Sequence, residues 1–272
     1  PHSVWPAAPR SSLFPPPPAR EEVPAPAGDS SDHELAKQLA NPVSSLITVP
    51  LQENVDFGIG PNDGLRSTLN IQPVVPVGLG ADWNLIIRTI LPVIHQDDVT
   101  GPFTGEAGLG DTLQSLFFSP SRPTKSGIIW AAGPAILYPT GDRRLGGEKW
   151  GAGPTGLVLK QAGGNTIGLL ANHIWSFAGE EARSGISSTF LQPFFSHTTP
   201  QATTYGINAE ASYDWKSDTW AVPLNLTVTQ LTKIGRQPVS IGGGVRYYVE
   251  RPEDGPEWGV RLIFTFLFPK AP

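Results

Sequence analysis

The sequence predicts an all-β chain closed into a transmembrane antiparallel β-barrel of about twelve strands. Three observations carry that prediction. Apolar and polar residues alternate with a period of two over many strand-length segments, as in a sheet with one apolar face. The connections between those segments switch in turn between tight and long. No apolar run approaches the roughly 18 residues a membrane helix needs, which leaves a closed sheet as the backbone able to cross a bilayer.

Composition narrows the setting. The net charge is −5 with no Lys/Arg run, so nucleic acid is not an expected partner. There are no cysteines, which removes disulfides, thiolate metal sites and a lipid-modified N-terminal Cys, and no methionine, so a chain that begins at Pro1 reads as processed, with an export signal peptide removed. Residues 1–28 form a Pro-rich arm that favours polyproline II and builds no core; at about 3.1 Å per residue it reaches roughly 80–90 Å when extended. It reads either as a solvated linker or as a docking arm for a protein or cell-wall partner. Residues 29–46 hold a short helix over 33–41, capped by Ser30, Ser31 and Asp32, with an apolar stripe at 35, 36, 39 and 40 and a stop at Pro42. It is too short to span, and either lies at the barrel rim or tucks inside as a plug.

Residues 47–272 make the barrel. Its strands read as 47–59, 66–78, 82–95, 109–119, 126–139, 148–161, 164–177, 187–198, 202–216, 219–232, 236–250 and 257–268, each near the length of a tilted membrane strand. The last is the clearest: Trp258, Val260, Leu262, Phe264, Phe266 and Phe268 on one face, Gly259, Arg261, Ile263, Thr265 and Leu267 on the other. The mixed face is small and sparsely charged, as a lumen is, and the apolar face suits outer-membrane lipid. A soluble lipid-binding barrel, the alternative architecture, would turn those apolar residues inward. Likewise Tyr205, Ile207 and Tyr213 oppose Asn208, Glu210 and Asp214, and Trp220, Leu224 and Leu226 oppose Pro223, Asn225 and Thr227. Prolines 50, 73, 92, 134, 154, 193 and 223 stand against the assignment, since each removes a ladder donor.

The long loops fall on one side and the tight turns on the other, with both termini on the tight-turn side, expected to be periplasmic at the outer membrane. On this map Phe57, Tyr138, Trp150, Trp175, Tyr213, Trp215, Trp220, Tyr247 and Trp258 gather at the loop end. Trp83, Phe117, Phe118, Phe195, Tyr205, Phe266 and Phe268 gather at the turn end, giving two aromatic girdles. A final strand that ends on Phe268 also resembles the signal by which outer-membrane barrels are recognised for insertion.

Several segments carry a family resemblance: 36–46 (AKQLANPVSSL), 69–76 (LNIQPVVP), 82–94 (DWNLIIRTILPVI), 108–120 (GLGDTLQSLFFSP), 170–176 (LANHIWS) and the closing FLFPK. From about residue 33 onward the chain resembles the bacterial outer-membrane family labelled as the MetA-pathway of phenol degradation, whose members are called transporters. The resemblance implies an exported barrel that acts as a channel for small molecules, and it brings no catalytic residues.

The candidate site follows from the alternation. Asp56, Arg246, Glu250 and Arg261 come from three neighbouring strands and point inward in the loop-side half; Glu210 and Asp214 add acid from a nearby strand, and Arg88 projects inward near mid-depth. Buried charges need partners, so these are expected to form a lumenal network, either an eyelet that screens solutes or a salt-bridged filling. Catalysis is not expected. Asn172 and His173 with Ser176 or Ser188 give the one local hint of a hydrolase, but adjacent strand residues face opposite ways. The five scattered histidines show no ligand spacing, and Gly242–Gly243–Gly244 follows no strand-to-helix switch, so neither a metal nor another cofactor is expected. The function these features imply is passive passage of small solutes, aromatic or weakly polar ones among them. The alternative is a closed scaffold barrel that binds a partner through its arm.

Overall fold

The computed structural model describes residues 30–269; the expectations for the 1–28 arm lie outside the described residues. Helix α1 (Ser30–Leu39) is followed by β1 (Ile47–Ile59), β2 (Gly64–Ile71), β3 (Val74–Leu79), β4 (Trp83–Asp97) and β5 (Gly105–Leu109). Next come β6 (Thr112–Pro120), β7 (Ile128–Tyr138), β8 (Lys149–Ala162), β9 (Asn165–Gly179) and β10 (Ser187–Thr198). The chain finishes with β11 (Thr203–Ala209), β12 (Ala211–Asp214), β13 (Thr219–Ile234), β14 (Gln237–Glu250) and β15 (Trp258–Phe268). Three staves are each split in two, β2 with β3, β5 with β6 and β11 with β12, so the fifteen strands make twelve staves. All pairings are antiparallel. The first strand closes on the last, from Ile47↔Phe268 to Phe57↔Trp258, and the sheet keeps no open edge.

The prolines explain the splits. Pro50, Pro92 and Pro223 offer the ladder no N–H, and each lies against a break in the neighbouring stave. Across each break a single backbone N–H reaches the proline carbonyl: Gln72 to Pro50 (2.8 Å), Gly110 to Pro92 (2.9 Å) and Glu210 to Pro223 (3.0 Å). Pro134 and Pro154 are cross-strand partners, so their two missing donors fall at one level. The flanking ladders skip that level. Between β6 and β7 no residues pair from Ser115↔Ala135 to Phe118↔Ala132, and between β8 and β9 none from Ala152↔Trp175 to Thr155↔Asn172.

The two faces differ as the alternation requires. Outside, Val158, Ile167, Leu169, Leu226, Val228, Val245 and Leu262 are 41–61% exposed, a surface that water would penalise and lipid would not. Trp150, Trp175, Trp215, Trp220, Tyr247 and Trp258 are exposed near the loop end. Trp83, Phe118, Phe195, Tyr205 and Phe268 are exposed near the turn end, and Phe266, half-buried, packs edge-on against Phe264 at 4.9 Å. Phe117, expected in the girdle, is instead 1% exposed: its neighbour Phe118 takes the outward position and the pleat turns Phe117 into the lumen. Hydrogen-bonded polar pairs interrupt the outer face, among them Glu53 with Ser67 (2.6 Å) and Gln114 with Thr89 (3.1 Å).

The N-terminal segment fills the turn-end mouth. The helix begins three residues earlier than expected, at Ser30, which puts Ser31 and Asp32 in its first turn. Ala36 and Leu46 are buried against Ala202, Leu231 and Leu267 on one side of the wall. Val43 is buried on the other side against Ile86, Phe117, Ala131, Leu157, Leu159 and Leu170. Polar ties hold the rim: Asp32 to Lys233 (3.0 Å), His33 Nδ1 to the Thr199 carbonyl (2.9 Å), and Gln161 Nε2 to the Lys37 carbonyl (2.9 Å). The helix thus lies across the turn-end mouth, and the segment that follows it packs inside the wall.

Candidate functional site

The lumen is built in rows, because cross-strand partners on one face stand side by side. One row runs Asp56↔Gly259↔Arg246↔Asn225↔Asn208 across β1, β15, β14, β13 and β11. The next, closer to the turn end, runs Asn54↔Arg261↔Gly244. Each arginine has a glycine beside it, so a long side chain can cross its neighbour. Arg246 lies over Gly259, its Nε 3.4 Å from Asp56 Oδ1 without hydrogen-bond alignment, and its Nη2 donates to the Tyr248 hydroxyl (3.0 Å). Asn225 donates to Asn208 (2.8 Å) and is fully buried.

Arg261 acts as a strut across part of the lumen. Its guanidinium makes both bonds of a fork to Glu210, Nη1 to Oε1 at 2.9 Å and Nη2 to Oε2 at 2.8 Å, while Nε donates to Asn54 (2.7 Å). Glu210 sits in the break between β11 and β12, three staves from β15, where its backbone is already tied to Pro223. Arg246 Nη2 approaches the same carboxylate at 3.9 Å, and Gln192 Nε2 at 3.5 Å. Arg88, on β4, donates to Gln72 Oε1 (2.9 Å). Gln72 occupies the break between β2 and β3.

The structure thus brings together Asp56, Glu210, Arg246 and Arg261, with Arg88 on the facing wall, and leaves out two expected members. Asp214 is exposed at the loop-end mouth, where its Oδ1 accepts the backbone N–H of Lys216 (2.7 Å) and closes the β12–β13 turn. Glu250 is exposed on the outer face, because a bulge shifts the register from Pro223↔Tyr248 to Val222↔Glu250 and reverses the phase beyond it. The row also continues from Asp56 to Arg66, Gln96 and Glu106, with Arg66 Nε donating to Gln96 (2.8 Å) and Gln96 Nε2 to Glu106 (2.7 Å). The lumenal set is therefore four arginines, Arg66, Arg88, Arg246 and Arg261, against three carboxylates, Asp56, Glu106 and Glu210. Gln52, Gln72, Gln192, Asn54 and Tyr248 complete it; all but Gln72, which lies in a break, were on inward positions of their strands and carried that signal.

Two cavities occupy the lumen. One, about 310 Å³, lies over the plug, with Leu39, Pro42 and Leu46 below and Thr227, Thr229, Ser240 and Thr265 in its wall. The other, about 430 Å³, lies against the β4–β10 side. Gln52, Gln72, Arg88, Leu170 and Gln192 line both, so they form the waist between them.

Among solved structures the barrel is similar to the crystal structure of the COG4313 outer membrane channel from Pseudomonas putida F1, with a TM-score of 0.63 at 15% identity, covering 82% of this chain and 94% of that one. The two chains share a fold. A bacterial polysaccharide outer membrane secretin aligns over 84% of this chain and 99% of its own at 11% identity, but its TM-score of 0.31 is too low for a structural argument. No family model matches the sequence and no curated protein matches it, so the family resemblance rests on the segments named above.

Chemically, the site offers fixed charge and hydrogen-bonding amides in a confined passage. His173 faces outward, bonded to Thr189 Oγ1 (2.7 Å) and tilted on Trp175 (4.0 Å between centroids), while Asn172 lines the larger cavity on the opposite face. Among the described residues no cluster of His, Asp and Glu is placed to hold a metal ion. The seam makes one prediction here. A side chain at Gly259 would put its Cβ 2.5 Å from Asp56 Oδ1 and 2.6 Å from the Val55 carbonyl. Gly259→Val is expected to part Asp56 from Arg246 and destabilise the barrel by about 1–3 kcal/mol in a thermal melt in detergent, whereas an unchanged melt would show that the seam relaxes freely.

Proposed function

We propose that this protein is an outer-membrane channel for passive passage of small solutes, aromatic or weakly polar ones among them, with the plugged end and both termini periplasmic. The observation that carries the proposal is the lumen itself: two cavities meeting at a polar waist inside a wall whose outer face is apolar. The similarity of its fold to a protein described as an outer membrane channel supports the same reading. With four lumenal arginines against three carboxylates, the passage carries excess positive charge and should favour anions.

Planar-bilayer recording tests this. The full chain, purified as a species whose unboiled form migrates differently from the boiled one, is expected to give small discrete steps with a reversal potential on the anion side. A closed scaffold barrel is the second reading, favoured by the plug and by the Arg261–Glu210 strut. Silence in the bilayer from both the full chain and a chain lacking residues 1–46 would decide for the scaffold.

A further inference from the structure

We propose that the waist around Arg88 is a binding site for small monocarboxylates that carry an apolar tail. The proposal deepens the channel reading and rests on it for the solute's route to the waist. Arg88 differs from Arg246 and Arg261 beside it. Arg261 has a carboxylate in its fork, and Arg246 stands between Asp56 and Glu210. Arg88 donates to the neutral amide of Gln72, and among the described residues it has no carboxylate within ion-pair distance. Glu210 is not free to serve it, since Arg261 holds both of that carboxylate's oxygens. A guanidinium carries five N–H donors in a planar fork that matches a carboxylate. Arg88 therefore presents a guanidinium fork without a carboxylate partner to both cavities, whose linings share it.

The surroundings select the rest of the ligand. In the larger cavity Ile90, Leu113, Leu137, Ile174 and Phe190 make a continuous apolar wall beside Arg88. At about 430 Å³ the cavity is within the range of small-molecule pockets. A carboxylate placed on Arg88 can lay a short hydrocarbon tail or ring along that wall. The acid Glu210 lines the same cavity and opposes a second negative charge, which favours monoanions over dianions. Gln192 and Gln52 supply neutral amides around the carboxylate without competing charge.

Isothermal titration of the full chain in detergent, with hexanoate, acetate and hexan-1-ol as probes, tests the site. Hexanoate is expected to bind saturably, with acetate and hexan-1-ol each weaker by about tenfold or more, since each lacks one half of the recognition. Arg88→Gln should reduce hexanoate affinity by about tenfold or more. Phe190→Ala, which leaves the charge in place, should weaken hexanoate several-fold and leave acetate unchanged. Heat-modifiable migration reports that each variant is folded. Hexanoate binding that is absent, equal in Arg88→Gln, or matched by hexan-1-ol overturns the proposal. Bilayer recording of the same preparations separates the two readings. Conductance without hexanoate binding sinks the site and spares the channel; Arg88-dependent binding without conductance sinks the channel and leaves the site in a closed barrel.

Discussion

Replacing Arg261 with alanine is expected to destabilise the barrel by about 3–5 kcal/mol, the largest effect of any single substitution in the lumen. The Arg261 side chain is 3% exposed and its carboxylate partner 18%, so little solvent reaches the pair. Truncation removes a two-bond fork and an amide contact together and leaves Glu210 with Arg246 at 3.9 Å and Gln192 at 3.5 Å. The cost is dominated by the stranded carboxylate, not by the lost attraction. Arg261→Lys retains the charge but cannot rebuild the fork, and should fall between wild type and alanine. Equilibrium unfolding in detergent micelles measures the loss; a loss below about 1 kcal/mol would mean that water solvates Glu210 freely. The same substitution takes the lumenal balance from four arginines against three carboxylates to three against three, so the reversal potential should move toward the cation side.

Removing residues 1–46 is the second large effect. Pairing of β1 with β15 starts at Ile47, so the cut leaves every stave and the closing seam in place. What it removes is the segment that spans the turn-end mouth through Ala36, Val43 and Leu46. Conductance is expected to rise several-fold while the anion preference, set by arginines above the plug, stays. Leu46→Ala is the milder form: it should weaken seating of the plug by about 2–5 kcal/mol and appear as frequent openings to the conductance level of the truncated chain. Identical conductance in all three proteins would mean the plug does not obstruct the path.

Most of the wall was legible in the sequence, because the pleat allows no drift: a slip of one residue exchanges the faces, so a long alternating run fixes which way each side chain points. The period alone assigns Arg261, between Gly259 and Ile263, to the lumen. The two misplaced carboxylates have different causes, neither announced by its own strand. Glu250 reads as inward along β14, yet the bulge beside Tyr248 reverses it. Asp214 keeps its phase but is taken by the turn that follows. The segments read as 66–78, 109–119 and 202–216 each divide in the folded chain. Pro73 stands in the first break itself, and each break also faces a proline on the neighbouring stave, Pro50, Pro92 or Pro223, which only the register connects to it. Glu210 owes its position to such a break, so its reach to Arg261 was legible as a direction but not as a partner. The choice between rim and plug was not legible either, since it depends on which lumenal residues leave an apolar seat for Val43 and Leu46.

The seam between β1 and β15 joins the two ends of the described chain, and α1 is leashed to one side of that seam through residues 40–46. Pairing between segments so far apart in the chain is the slowest kind to form, so wall closure comes late in assembly. On so short a leash the helix is expected to travel with β1 and to meet Leu231 and Leu267, which lie across the seam, only as Phe268 reaches Ile47. Enclosure of the plug and sealing of the wall are then expected to be one kinetic event, with no open tube between curved sheet and stoppered barrel.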